Sequence, residues 1–176
     1  MSVSEKLKKE CAKYVPTQFD PAVDPGYVHP ANGWRNENLE CQTFEDSEFD
    51  LVVTQDVFEH VFNPDLAISE IARTLKPGGA HVATVPLVCK TKPSRRRARL
   101  MKDGTITHLL PGHYHENPID EQGSLVTIDW GFDIANYFDA NSGLNTTILF
   151  IDNINLGISA DLIEVLVSIK QNIPDL

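Results

Sequence analysis

Residues 49–86, FDLVVTQDVFEHVFNPDLAISEIARTLKPGGAHVATVP, constrain the fold more than any other stretch of the chain. They read as strand, loop, helix, turn and strand. Leu51, Val52 and Val53 make the apolar, β-branched run of a strand buried on both faces. Asn63 suits a helix cap, and Pro64 suits the first helical position, where no backbone N–H is needed. Leu66, Ala67, Ile68, Ile71, Ala72 and Leu75 recur at helical spacing and predict one apolar face. Pro77 disfavours a helical Lys76, and Gly78-Gly79 permits the chain to reverse. Residues 80–85 then return as a second strand. A strand–helix–strand unit of this length implies a right-handed parallel crossover, and so an α/β fold.

The flanks are less regular. Ser2 and Glu5 have capping-box spacing, and Leu7, Cys11 and Tyr14 share a helical face, which predicts a helix over residues 3–14. An arm punctuated by Pro16, Pro21, Pro25, Pro30, Gly26 and Gly33 follows, with Phe19, Tyr27 and Trp34 as expected anchors. After residue 86 comes a long segment without clear periodicity. Seven of the fifteen Lys and Arg residues fall within 90–102, either as an exposed basic loop or as a docking patch for an anionic acceptor or acidic partner. The histidines of His108-Leu-Leu-Pro-Gly-His113-Tyr-His115-Glu116-Asn117-Pro118 match no strong metal motif, so no metal ligand is assigned. A helix opening at Asp129-Trp130-Gly131-Phe132 is expected, with Trp130 in the core and Gly143 as its C′ residue. Strands over 145–152 and 161–169, joined through Gly157, complete the chain.

A length of 176 residues suits one domain with a sizeable core, and a 41% hydrophobic fraction is compatible with folding. The net charge of −10 argues against general nucleic-acid binding. No apolar run is long enough to span a bilayer, and no secretory signal is visible. Cys11, Cys41 and Cys89 are odd in number and widely spaced, so a reducing cytoplasm is the expected compartment.

The central stretch resembles the second half of a class I S-adenosylmethionine-dependent methyltransferase domain of the type 11 kind. There an F-D-x-V strand leads to an E-H pair and then to E-I-A-R-x-L-K-P-G-G. Here these are Phe49-Asp50-Leu51-Val52, Glu59-His60 and residues 70–79. The resemblance is specific over residues 38–86 and weaker from Gly131 onward. It implies a truncated Rossmann-like sheet, mostly parallel, with an antiparallel carboxyl-terminal strand pair. The expected layout is one domain: an amino-terminal helix and arm (1–35), the core unit (36–86), an insertion (87–128), and a helix with a strand pair (129–176).

The resemblance also implies roles. S-adenosylmethionine is the expected cofactor. Asn36, Glu37 and Asn38 offer groups for the adenine edge, with Asn38 and Leu39 the best match; the same residues could instead form a self-satisfied polar turn. Thr54, Gln55 and Asp56 lie beyond the carboxyl end of the strand, where open α/β sheets bind ligands. Asp56, Glu59 and His60 are the candidate bases, although Asp56 could simply cap the loop and Glu59-His60 could be a structural pair. Arg96, Arg97, His113, Tyr114 and His115 are the candidate contacts to a small-molecule acceptor.

The family's glycine-rich loop has no counterpart here, because no G-x-G occurs in the chain. With the carboxyl-side half alone, the strand around residues 51–54 becomes an exposed sheet edge that needs covering. A homodimer is the leading expectation, with a complete methyltransferase partner as the other. The opposing functional reading is a non-catalytic binding or regulatory module. A metal-dependent hydrolase built on the histidine-rich loop is a third class, for which no bound zinc or iron is expected.

Overall fold

The computed structural model describes residues 3–116 and 123–172. Ser2, Asn117, Pro118 and the tail 174–176 lie outside the described residues. In chain order, α1 (Val3–Glu10), β1 (Thr17–Gln18) and β2 (Arg35–Asn36) precede the central unit β3 (Phe49–Gln55), α2 (Pro64–Thr74) and β4 (Leu75–Thr84). Short strands follow: β5 (Arg95–Arg96), β6 (Ala98–Leu100), β7 (Ile106–His108), β8 (Tyr114–His115), β9 (Ser124–Leu125) and β10 (Ile128–Asp129). Then come α3 (Ile134–Ser142), β11 (Asn145–Phe150) and β12 (Glu164–Ile169).

The main sheet has four strands in the order β11-β12-β4-β3. β3 and β4 are parallel, whereas β12 runs against both β4 and β11. The α/β layout and the antiparallel carboxyl-terminal pair are as expected. The parallel part is narrower than expected, a single pair within this sheet. Each parallel pair needs a crossover, and the chain supplies one such unit to the main sheet; β11 and β12 need only a reversing loop. β1 and β2 form a separate two-residue parallel ladder.

Helix α2 starts as its sequence dictates, with Pro64 in the first turn, but Asn63 makes no side-chain cap. Its backbone N–H and its Nδ2 instead donate to the Glu40 carboxylate. Ala67, Ile68, Ile71 and Ala72 are buried, whereas Leu66 is exposed, because six apolar positions exceed the stripe that one helix face can cover. Arg73 pairs with Glu70 as spacing predicts, and also reaches Asp46 and the Phe44 carbonyl, pinning the 40–46 loop to α2.

The core lies on one face of the sheet. Phe58, Ile68, Ile71, Leu75, Leu87, Trp130, Ile134, Phe138 and Leu166 are all buried there. Helix α3 begins later than predicted, at Ile134, and ends at Gly143 in the left-handed conformation expected of a C′ glycine. Trp130 is core, donating Nε1–H to the Phe58 carbonyl at 3.0 Å. On the other sheet face Leu51, Leu149 and Ile169 are exposed, and Val53, Val82, Val165 and Val167 are half-buried.

The arm is held differently from expectation. Phe19 and Tyr27 are exposed, and Trp34 stacks on His29. Buried polar groups do the anchoring instead. Asn36 bonds to the backbone of Asp20 and Val23, and Glu37 accepts from Arg35 and from the Thr43 amide and hydroxyl.

Candidate active site

The parallel pair delivers β3 to an open carboxyl edge. Thr54 is buried there, its Oγ1 2.9 Å from Nε2 of His81 on β4. Gln55 and Asp56 are exposed. Asp56 has φ +51°, a left-handed backbone conformation that few non-glycine residues adopt. Its amide donates to the Thr84 carbonyl at 3.0 Å, and its Oδ1 accepts from the Thr84 hydroxyl at 3.2 Å. The chain then turns through Val57, whose carbonyl accepts from the His60 amide. Phe58 is fully buried against Phe138 and His81 and anchors the turn in the core. Glu59, buried, and His60, half-buried, follow.

The supposed insertion clamps this turn. Thr127 donates its amide to the Glu59 carbonyl at 2.7 Å, and its hydroxyl bonds to the carbonyls of Glu59 and Val61. The Leu125 carbonyl lies 2.9 Å from Nδ1 of His60. A carbonyl can only accept, so Nδ1 carries the proton and Nε2 presents a lone pair. β9 pairs with β8 in the register Tyr114↔Leu125 and His115↔Ser124, which brings His115 to the same place.

Three side chains therefore converge. Nε2 of His60 and Nδ1 of His115 each lie 3.7 Å from Oε1 of Glu59. The His60 and His115 rings meet edge-on at 5.0 Å, and His113 packs edge-on against His115 at 5.1 Å. Burial pushes the Glu59 carboxyl up to about 7, and the charge of Asp56 adds to the rise. Burial holds His60 and His115 below the ordinary histidine value. This favours the neutral imidazole at both, the form that can accept a proton or bind a cation.

The other sequence candidates sit apart from this cluster or are engaged elsewhere. Oδ1 of Asn38 accepts from the Glu40 amide in its own turn, and Leu39 packs against the core. Asn36 and Glu37 are spent on the arm. Arg96 donates to the Phe62 carbonyl, and Arg97 to Asp129 and the Pro111 carbonyl. Burial alone would raise the Asp129 carboxyl, but Arg95 and Arg97 outweigh it and hold it low. Arg95, Arg96 and Arg97 of the basic run are thus built into the fold, with β5 paired to β10 behind the clamp. Tyr114 is exposed on β8. A groove of about 410 Å³ between residues 40–44 and α2 is lined by none of these candidates. Leu125 and Thr127 went unrecognised in the sequence; the alternating SLVTID run was the available strand signal.

A family described as a methyltransferase domain, of type 11, matches residues 3–83. The ubiquinone/menaquinone biosynthesis C-methyltransferase UbiE of Hydrogenovibrio crunogenus is 29% identical over 120 residues, covering 61% of this chain and 47% of that protein. Over that stretch the chain is similar to class I, type 11-like methyltransferase domains. It spans about half the length of that curated relative. An S-adenosylmethionine-dependent methyltransferase from Mesorhizobium loti superposes with a TM-score of 0.50 at 14% identity, over 81% of this chain and 72% of that one, which shows the shared fold. One from Methanosarcina mazei gives 0.47 at 14% identity, over 84% and 73%. S-adenosylmethionine is the cofactor of these methyltransferases. Among the described residues, no helix is long and apolar enough to cross a membrane.

Proposed function

We propose that the chain takes part in S-adenosylmethionine-dependent methyl transfer to a small-molecule acceptor. The observation that carries this reading is the site's position. Asp56, Glu59 and His60 follow the carboxyl end of β3, in a stretch matched by the methyltransferase family, and His115 joins Glu59 and His60 from β8. S-adenosylmethionine supplies a methyl group on a positively charged sulfonium. The exposed Asp56 carboxylate and Gln55 amide suit a cationic, polar ligand at that edge, and Asn38 and Leu39 are the proposed adenine-side contacts. His60, with Nδ1 committed to Leu125, holds Nε2 ready for the acceptor's proton. The charge of Asp56 acts on it.

A methyl-transfer screen with hydroxyl-bearing acceptors tests this. Activity that falls at least about a hundredfold in His60→Ala, within the usual contribution of a general base, supports the reading. Activity unaffected by His60→Ala and Asp56→Asn contradicts these roles.

A second reading, a non-catalytic binding or regulatory module, is favoured by the lack of any G-x-G in these 176 residues. It predicts no turnover with any acceptor. Arg96 and Arg97 serve it poorly as a docking patch, since both guanidiniums are engaged internally. We also infer a homodimer, supported by the unpaired outer edge of β3 among the described residues and by the apolar second sheet face. A complete methyltransferase partner is the alternative cover. A cytoplasmic setting suits the three free cysteines.

A further inference from the structure

Glu59 is only 2% exposed, and among the described residues neither of its carboxylate oxygens meets a hydrogen-bond donor. Buried carboxylates are retained when they are paired or bind a metal. Its nearest polar neighbours are Nε2 of His60 and Nδ1 of His115, both at 3.7 Å from Oε1. That is too long for a hydrogen bond. It is close to the spacing of about 3.3 Å that tetrahedral zinc imposes on ligand atoms bound at about 2.0–2.1 Å. All three candidate ligand atoms fall within 4.8 Å of one another.

The surroundings favour the same conclusion. Nδ1 of His60 donates to the Leu125 carbonyl, the kind of outer contact that fixes the tautomer and orientation of a ligating imidazole. The β8·β9 ladder sets His115 opposite Ser124, next to that carbonyl. The His115 side chain is 35% exposed, which leaves an approach from solvent.

We propose that Oε1 of Glu59, Nε2 of His60 and Nδ1 of His115 bind one divalent first-row transition-metal ion, zinc in the simplest case, leaving a coordination position for an oxygen atom of the acceptor. The acceptor clause rests on the methyl-transfer reading; the metal site does not. Two imidazoles and one carboxylate are a ligand set that zinc and iron both accept, with a position left open. With an ion bound, His60 would be a ligand and could no longer take the acceptor's proton; the ion would instead lower the acceptor's pKa, and the proton would pass to solvent. The histidine-rich loop yields no metal motif because its partners, Glu59 and His60, come from a different part of the chain.

The test uses the full, tag-free chain, stripped with a chelator, and contains neither S-adenosylmethionine nor acceptor. Zinc is titrated by calorimetry and cobalt(II) by visible absorption. Saturation at one ion per chain is expected, weakened at least about tenfold in His115→Ala and in Glu59→Gln. Cys11→Ser with Cys41→Ser should leave the affinity unchanged, which excludes the exposed thiols as the site. Should Glu59→Gln fail to fold, His115→Ala carries the comparison, since its side chain is partly exposed. Absence of saturable binding, or equal affinity in His115→Ala, overturns the site. A failed methyl-transfer screen would leave this result standing.

Discussion

His81 points from β4 into the core with no exposure, its Nε2 against the Thr54 hydroxyl. Burial pushes its imidazole down to about 3. In the unfolded chain the same group titrates near about 6.5. Between these values the unfolded state binds more protons, so stability is lost as pH falls below about 6.5. From pH 7.5 to pH 5 this amounts to about 2 kcal/mol for His81 alone. Urea unfolding at the two pH values should show a drop in the parent chain that is smaller by that amount in His81→Gln. An equal drop in both would show that His81 titrates normally. The residue scale also shows where sequence reading reaches its limit. The E-H pair marked Glu59 and His60 as a site, but nothing nearby in the sequence could reveal that Glu59 is buried without a donor.

At the scale of elements, β3, α2 and β4 were legible because strand and helix periodicity are local signals. Leu66 marks the weakness of that signal, since spacing alone does not tell a wide stripe from a narrow one. Residues 87–128 were not legible, because their order comes from partners far along the chain. Thr127 bonds to Glu59 and Val61, 68 and 66 residues away. Thr127→Val keeps the volume but strips the hydroxyl donor from the Val61 carbonyl. We expect a loss of about 1–3 kcal/mol, read from urea unfolding, as for a buried acceptor left unpaired. A second long-range tie closes α2. Nζ of Lys170 donates to the carbonyls of Ala72 and Leu75 at 2.7 and 2.6 Å, where a helix end favours positive charge. Lys170→Met should cost about 1.5–3 kcal/mol in the same assay, and a neutral result would mean that these carbonyls are satisfied by water.

For the whole molecule, the architecture follows from one crossover unit with a strand pair attached, and its consequences are the two surfaces left over. β3 ends the sheet with Leu51 exposed, and the second sheet face carries valines and leucines. The proposed homodimer would cover one or both, and light scattering at micromolar concentration should then give twice the chain mass of 19.6 kDa. A clean monomer would remove the dimer from the account. The edge was foreseeable because no G-x-G occurs in these 176 residues, whereas a covering partner would leave no trace in a single sequence. Calorimetric titration of the purified chain with S-adenosylmethionine and S-adenosylhomocysteine, up to about millimolar ligand, tests the central claim most directly. Saturable, one-to-one binding of both, weakened in Asp56→Asn, is the predicted result. No binding across that range would contradict methyl transfer by this chain alone and leave the binding-module reading in its place.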